Sequence, residues 1–464
     1  MNTSVAVEGL VLAIVGVVGS EHVRSDPASL DAYGQDALRQ GHAPWLVVLP
    51  GSTREVAAIA RVCHESRVPL VVRGAGTGYT GGAVPTHGGV VMSMERLNRI
   101  LEIDEVNLLA VVQPHVITGD LQRAVEAVGL FYPPDPASLD RCSIGGNVAE
   151  CAGGPRAFKY GTTKRYVLAL ELVLPTGEII RTGSKAVKNV VGYDLTQLMV
   201  GSEGTLAIVT EITLRLVPRP PARATVLALF PSIRAAVEGV TALIQRRVTP
   251  ATLELVDADS LDAVRTHTGG EVAPAGTGAA LIVEVDGMQA AVEEEAVIVI
   301  AACQGAGATV VSRAVDDQDR ERLWQSRRML SESLRATGLL KINHDVVVPR
   351  GRVPELFDLI QELKERYRLR IAAFGHAGDG NIHVNLMVNR TDEAERERAR
   401  QAERVLFERV VELEGSISGE HGIGFAKARY IDIELSADTI ALMKRVKHAF
   451  DPHGILNPGK VFPD

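Results

Sequence analysis

Val68-Pro69-Leu70-Val71-Val72-Arg73-Gly74-Ala75-Gly76-Thr77-Gly78-Tyr79-Thr80-Gly81-Gly82 is a short apolar strand that runs directly into a loop of five glycines and two threonines. Successive N–H groups in such a loop form a concave anion-binding nest, and threonine hydroxyls add donors. A diphosphate is the natural guest. The spacing is not G-x-x-x-x-G-K-[ST], which argues against a nucleoside-triphosphate loop, and Tyr79 breaks G-x-G-x-x-G. Alone, the loop is read equally well as a plain tight turn.

The sequence around it mixes helices and strands. Ser52-Thr53-Arg54-Glu55 is a capping box, and Val56, Ile59, Ala60 and Cys63 follow at helical spacing. Strands are expected at Gly89–Ser93 and Leu108–Gln113, a helix at Asp120–Val128, and a hairpin of Val167–Leu174 with Glu178–Thr182 about Pro175-Thr176-Gly177. Thr205–Val217 is β-rich. Two further glycine-dense stretches follow the first: Ser143-Ile144-Gly145-Gly146-Asn147 through Gly153-Gly154, and Lys188–Leu195 with Gly201-Ser202-Glu203-Gly204-Thr205. Three such loops in one half-chain point to a large, flat cofactor with a polar tail.

Pro218-Arg219-Pro220-Pro221 breaks the pattern, and a domain boundary is placed there. Beyond it come strand Val226–Phe230, a helix through Ile233 and Val240, strands Thr252–Val256 and Ala280–Val285, a helix near Met288–Cys303 and strand Thr309–Ser312. That is the β-α-β-β-α-β, ferredoxin-like order. The expected division is 1–219, 220–425 and a C-terminal segment 426–464.

Two polar runs lie near the end. Gly375-His376-Ala377-Gly378-Asp379-Gly380-Asn381-Ile382-His383-Val384-Asn385 sets two imidazoles across a Gly-Asp-Gly turn, as a hairpin would present them from adjacent strands. Ser418-Gly419-Glu420-His421-Gly422-Ile423-Gly424 adds a carboxylate and a third imidazole. Neutral imidazole with carboxylate suits a divalent metal. If 420–421 is extended, Glu420 and His421 point to opposite sides, so one could hold metal while the other meets substrate.

The bulk properties narrow the class. Hydrophobic residues at 46% and charged residues at 23% of 464 describe a soluble globular chain of two or three domains. A net charge of -8 with no basic run argues against nucleic acid. Cys63, Cys142, Cys151 and Cys303 form no C-x-x-C pair, which fits a reducing cytoplasm and no disulfide framework. Leu10–Val18 is too short to span a bilayer and is expected to be the buried face of an N-terminal helix. Attachment at the inner face of a membrane would go through a partner or surface.

The chain resembles the FAD-linked oxidase family of vanillyl-alcohol oxidase and p-cresol methylhydroxylase, and within it the D-2-hydroxyacid dehydrogenase branch. The resemblance covers nearly the whole chain. It rests on Arg73-Gly74-Ala75-Gly76-Thr77-Gly78, Pro134-Asp135-Pro136-Ala137-Ser138, Ile144-Gly145-Gly146-Asn147, Gly201-Ser202-Glu203-Gly204-Thr205, Asn457-Pro458-Gly459-Lys460 and the two metal-type runs. It implies an α+β fold: a two-part FAD-binding domain of the p-cresol methylhydroxylase type, a ferredoxin-like cap, and a tail returning to the flavin. Arg73, Gly74, Ala75, Gly76, Thr77, Gly78, Thr80 and Gly81 would hold the FAD diphosphate. Pro134, Asp135, Ser138, Gly145, Asn147, Gly153, Glu203, Ile208 and Asn457 would line the rest of the cofactor. His87 and His115 sit in no attachment pattern, so non-covalent FAD is expected.

By the same resemblance His376, His383 and Glu420 bind a divalent metal, zinc first, while Asn385 contacts substrate, His421 is the base and Arg327 clamps the substrate carboxylate. A surface-helix arginine is the plain alternative for Arg327. Cys151 replaces a common asparagine and is read as a small buried substitution. Asn343 and His344 stand where dicarboxylate-type relatives show Lys or Glu, and Lys341 is read as out of register. The implied reaction is metal-assisted oxidation of a D-2-hydroxy acid, D-lactate or glycolate-like, to the 2-oxo acid. Electrons would leave to an external quinone, electron-transfer flavoprotein, cytochrome or partner subunit. A D-2-hydroxyglutarate dehydrogenase is the alternative, and a non-redox flavoenzyme a more distant one. A homodimer is left open.

Overall fold

The computed structural model describes residues 3–269 and 273–463. The chain divides into two compact units: one takes in the chain up to Gly153, Thr162–Arg219 and everything from Glu420, and the other Gly154–Gly161 and Pro220–Gly419. Each is described by itself.

The first unit is built on a four-stranded sheet in the order Val23–Arg24, Leu46–Val48, Val90–Ser93, Leu70–Arg73, antiparallel in its first pair and parallel in the rest. Alternate residues serve opposite faces. Leu46, Val48, Leu70, Val90 and Met92 pack with the helices Thr3–Val18 and Thr53–Ser66, through Leu10, Ile14 and Val18 and through Val56, Ile59 and Cys63. Val47, Val71 and Val91 form a second core with Leu30 and Tyr33. Cover on both faces explains why these strands are unbroken apolar runs. The helix Thr53–Ser66 starts on a variant of the capping box: Ser52 Oγ accepts the Glu55 amide at 3.3 Å, while the Glu55 carboxylate reaches one residue further back and accepts the Gly51 amide at 2.7 Å. Arg67, in the left-handed region at φ 52°, ends it. Leu10, Ile14 and Val18 form the expected buried stripe of the N-terminal helix, while Leu12 is exposed.

A second, antiparallel sheet follows, in the order Ile100–Asp104, Leu109–Val112, Ile208–Arg215, Val167–Val173, Ile179–Gly183. It includes the expected hairpin, closed where the Gly177 amide donates to Leu174 O. The tail comes back to the first sheet: Leu70 N donates to Ile455 O and Asn457 N to Leu70 O, both at 2.8 Å.

The second unit carries one antiparallel sheet of seven strands: Val310–Arg313, Ala222–Phe230, Ala279–Gly287, Thr252–Asp257, Arg370–His376, Asn381–Val388, Leu340–Val347. The first four, with helices Ile233–Gln245 and Gln289–Gly305, are the ferredoxin-like set. Two features depart from expectation. A helix Ala258–Thr268 intervenes between the second and third strands in sequence; Asp257 caps it by accepting the Ser260 amide. Three added strands also continue the sheet past Thr252–Asp257, so the histidine hairpin joins the cap sheet itself. Residues 420–425, expected with the cap, group with the first unit, where Glu203 accepts the amides of Ile423 and Gly424.

Candidate functional site

In the first unit the glycine loop emerges from strand Leu70–Arg73. Gly74 is pressed against the start of helix Ile144–Glu150: a Cβ there would lie 2.5 Å from Ser143 Oγ, the oxygen that caps the helix by accepting the Gly146 amide. The strand, the loop and the helix start thus depend on one small residue. Among the described residues, the amides of Ala75–Gly78 donate to no carbonyl or side chain, which leaves a row of N–H groups of the kind that binds phosphate.

Three buried oxygens without a partner flank this loop: Asp36 Oδ2, Glu150 Oε2 and Asn457 Oδ1. Asn457 Nδ2 donates to Gly82 O at 2.9 Å and to Glu203 O at 2.8 Å, so its amide stands across the loop. Orphan acceptors want donors. A dinucleotide with a diphosphate for the amides, and hydroxyl and ring N–H groups for these oxygens, fits the set. Burial pushes the Asp36 carboxyl up to about 6. Glu150 is pushed well up by burial and by the charges of Glu203 and Asp36. Burial also pushes Glu203 up, but the amides of Ile423 and Gly424 and the charges of Lys427 and Lys460 oppose it.

The other expected cofactor residues fall in several places. The half-buried Arg73 guanidinium donates to Gln35 O at 2.5 Å and lies over the Tyr33 ring, so it ties the strand end to the layer behind the sheet. Thr80 Oγ1 donates to His421 O at 3.0 Å. Asn147, buried, donates to Thr118 Oγ1 at 2.7 Å, and Pro134 O accepts from Gln122 Nε2 at 2.8 Å. Gly145 donates its amide to Pro114 O. Asp135 and Ser138 are half-buried and Gly153 is buried. Ile208 is packed in the apolar core beside Leu70. Cys151 is half-buried rather than buried, and closes its helix in the left-handed region at φ 55°, a conformation asparagine adopts more readily.

In the second unit the pairing of strands collects the polar residues on one face of the sheet. The register sets Glu254 beside His376, Phe374 beside His383, Asp345 beside His383, and Asn343 beside Asn385. The two histidine rings meet edge to face, 5.3 Å apart. His376 Nδ1 is 2.5 Å from Glu254 Oε1. A carboxylate on one ring nitrogen orients the other, as metal-ligating histidines require. Asp345, fully buried, accepts from Asn381 Nδ2 at 2.7 Å and from the Gly419 amide at 2.9 Å. The donor chemistry of this face fits a divalent metal.

Arg327 is not on the surface. It is 6% exposed, on the face of helix Asp317–Arg328 that also buries Leu323 and Trp324. Its Nε donates to Glu254, and its guanidinium lies 4.9 Å from the centre of the Phe374 ring. No described group bonds its two terminal nitrogens, the fork that grips a carboxylate. Burial opposes the charge of Glu254, but Arg327 and His376 outweigh it and hold this carboxyl down at about 2. Asn385 Oδ1 accepts from Asn343 Nδ2 at 2.8 Å, and its own Nδ2 bonds Ala372 O and His383 O. It thereby fixes Asn343, whose buried Oδ1 has no partner.

Lys341, two residues before Asn343 in the same strand, shares that face. Its amine donates to Ser331 Oγ at 2.6 Å, and burial, with Arg335 nearby, pushes it down to about 7. His344 points the other way, edge-on to Phe407 and 3.7 Å from Glu403. Glu254 was missed in the sequence. Its signal was a lone carboxylate within the apolar strand Thr252–Asp257. His421 and Glu420 lie in the first unit, where the Tyr79 ring stacks on the His421 imidazole at 5.3 Å.

Comparisons with known proteins agree with this layout. Residues 44–183 match the FAD binding domain model, and residues 219–461 match the model for the C-terminal domain of FAD linked oxidases. The chain is 43% identical over 450 residues to the glycolate oxidase subunit GlcD of Bacillus subtilis, covering 97% of this chain and 96% of that one. It is 36% identical to a D-lactate dehydrogenase of Anaerostipes hadrus, covering 90% and 89%, and 35% identical to a D-2-hydroxyglutarate dehydrogenase of Xanthomonas citri, covering 97% and 96%. Among solved structures, p-cresol methylhydroxylase with substrate bound superposes with a TM-score of 0.82 at 19% identity, over 100% of this chain and 98% of that one.

Proposed function

The chain belongs to the FAD-linked oxidase family, in the branch of glycolate oxidase subunits, D-lactate dehydrogenases and D-2-hydroxyglutarate dehydrogenases, and from that premise we propose that it oxidises a D-2-hydroxy acid to the 2-oxo acid with the help of a divalent metal. It is an FAD-linked oxidoreductase with the two-domain fold of p-cresol methylhydroxylase. The observation that carries the reading is the buried chain Arg327–Glu254–His376, which presents a carboxylate-binding fork and an oriented imidazole on one sheet face.

Non-covalent FAD, on the loop Arg73–Gly81 with Pro134, Asp135, Ser138, Gly145, Asn147, Gly153, Ile208 and Asn457 about it, supplies the hydride acceptor when bound. The metal, zinc first, on His376, His383 and Glu420, would supply a Lewis acid for the substrate hydroxyl. Arg327 grips the carboxylate by its two terminal nitrogens. Asn385 holds Asn343 toward the same face. His421 takes the hydroxyl proton on its ring nitrogen. Electrons then pass to an external acceptor, a carrier protein, a quinone or a partner subunit. Among the described residues no helix is long and apolar enough to cross a membrane.

Acid precipitation is expected to give white protein and a yellow supernatant. Colour held in the pellet would mean covalent flavin. Chelation, or His383→Ala, should stop turnover while the flavin stays bound; a preparation without divalent ion, and a rate indifferent to chelators, would remove the metal from the mechanism.

The side group of the substrate is the finer question. A small or apolar group is favoured by the absence of a lysine at 343 or 344. Lys341 favours a second reading, a dicarboxylate whose distal charge would keep the buried amine protonated. Anaerobic mixing with D- and L-lactate, glycolate, D-malate and D-2-hydroxyglutarate tests both. Bleaching by D-lactate or by the achiral glycolate, and not by L-lactate, is expected. Preference for a dicarboxylate by tenfold or more in kcat/KM, about 1.4 kcal/mol, abolished by Lys341→Met, would select the second reading. If none of these acids bleaches a flavin that dithionite reduces, the proposed reaction is wrong.

A further inference from the structure

The turn that carries His421 is held from behind. Glu203 is 6% exposed, and its two oxygens take the amides of Ile423 at 2.7 Å and Gly424 at 2.6 Å. These are the second and third residues after His421, and both contacts are short, charge-assisted bonds. On the near side, Thr80 Oγ1 holds His421 O and the Tyr79 ring lies on the imidazole. Gly422 stands between, at φ 78°. A Cβ there would lie 2.9 Å from Glu203 Oε1 and would also collide with Glu150 Oε2. The turn can close on the carboxylate only because residue 422 is glycine.

Glu203 is itself placed with care. It adopts the left-handed conformation, φ 54°, which is unfavourable for a side-chain-bearing residue. Its amide donates to Ala149 O at 2.8 Å and its carbonyl accepts from Asn457 Nδ2. Main chain and side chain are therefore fully engaged, with both carboxylate oxygens turned to the His421 turn.

We propose that Glu203 is a positioning residue for His421, acting through the amides of Ile423 and Gly424, and not a cofactor contact. This rests on His421 being the base. A proton acceptor must be held to within a fraction of an ångström to work, and a carboxylate spanning two consecutive amides fixes both the place and the tilt of the turn.

The test is a double-mutant cycle on the FAD-loaded protein: Glu203→Ala, Glu203→Gln, His421→Ala and Glu203→Ala/His421→Ala. The readouts are the FAD dissociation constant, KM, and the anaerobic rate of flavin reduction by D-lactate, or by whichever acid of the panel reduces the parent fastest. Glu203→Ala should slow reduction about 10- to 100-fold, the cost of misplacing a reacting group, with KM and FAD affinity within about twofold of the parent by the same argument. Glu203→Gln, which keeps one acceptor oxygen, should recover part of the rate. In the His421→Ala background, Glu203→Ala should add less than about twofold, since a residue acting only through another has nothing left to lose.

FAD affinity weakened tenfold or more, with a normal rate in the saturated enzyme, would make Glu203 a flavin contact and overturn the proposal. So would independent, multiplying losses in the cycle. If Glu203→Ala does not fold, Glu203→Gln takes its place in the cycle under the same criteria. The parent reading fails separately, and visibly, if His421→Ala alone reduces flavin at the parental rate.

Discussion

His421→Ala is expected to yield a yellow, folded protein whose flavin is reduced by substrate about 10²- to 10⁴-fold more slowly than the parent, the usual cost of losing a general base. Three bonds hold the turn by its main chain: Thr80 Oγ1 on His421 O, and Glu203 on the amides of Ile423 and Gly424. Truncating the imidazole removes the stack on Tyr79 and leaves these main-chain bonds in place. FAD content and metal content should therefore stay at parental levels, and stopped-flow absorbance under anaerobic conditions reads the rate directly. Loss of metal in this variant would make His421 a ligand. A near-parental rate would move the proton to another group.

Glu254→Ala should be the most destabilising single change in the cap. Glu254 is fully buried, with Arg327 on one oxygen and His376 on the other. Removing it leaves the Arg327 guanidinium, itself almost fully buried, without its counter-charge. Breaking a buried pair from one side costs about 3–5 kcal/mol, most of the stability of many domains. Urea melts of the cap should show the loss. The pair Glu254→Gln/Arg327→Met removes both charges at similar volume and should regain most of it, while flavin reduction stays abolished. A Glu254→Ala protein that melts with the parent would mean that water or another group reaches Arg327.

Much of this was legible beforehand, and for identifiable reasons. The strands Leu70–Arg73 and Val90–Ser93 are buried on both faces, so their sequences are apolar without alternation; their neighbour Leu46–Val48 went without a strand assignment because it is only three residues long. The histidine hairpin was legible because a Gly-Asp-Gly turn fixes its own register. What stayed hidden depends on register between distant strands. Nothing within Thr252–Asp257 tells that Glu254 will stand beside His376, 122 residues on. That Lys341 shares a face with Asn343 and Asp345 follows from the two-residue repeat of strand Leu340–Val347 once that strand is known. The helix Ala258–Thr268 went unread although Asp257 is a good cap, because its apolar stripe is weak and short. Glu203 sits in a motif that suggests a cofactor, and only the fold brings the turn 220 residues later onto its carboxylate.

The strand-like return of Ile455–Asn457 onto Leu70 also dictates an order of events during biosynthesis. The glycine loop leaves the ribosome early, but the amide that stands across it, Asn457 on Gly82 O, is translated 457 − 82 = 375 residues later, roughly 20 to 75 seconds at ordinary elongation rates. Through that interval the nascent first sheet has its Leu70 edge unsealed and its nest incomplete. The contact that joins the two ends of this unit therefore forms only after Asn457 has been made. Termination a few codons short of Asn457 would cost far more than the few residues lost, since it would strip the Leu70 edge of its partner and Gly82 O and Glu203 O of the amide they share.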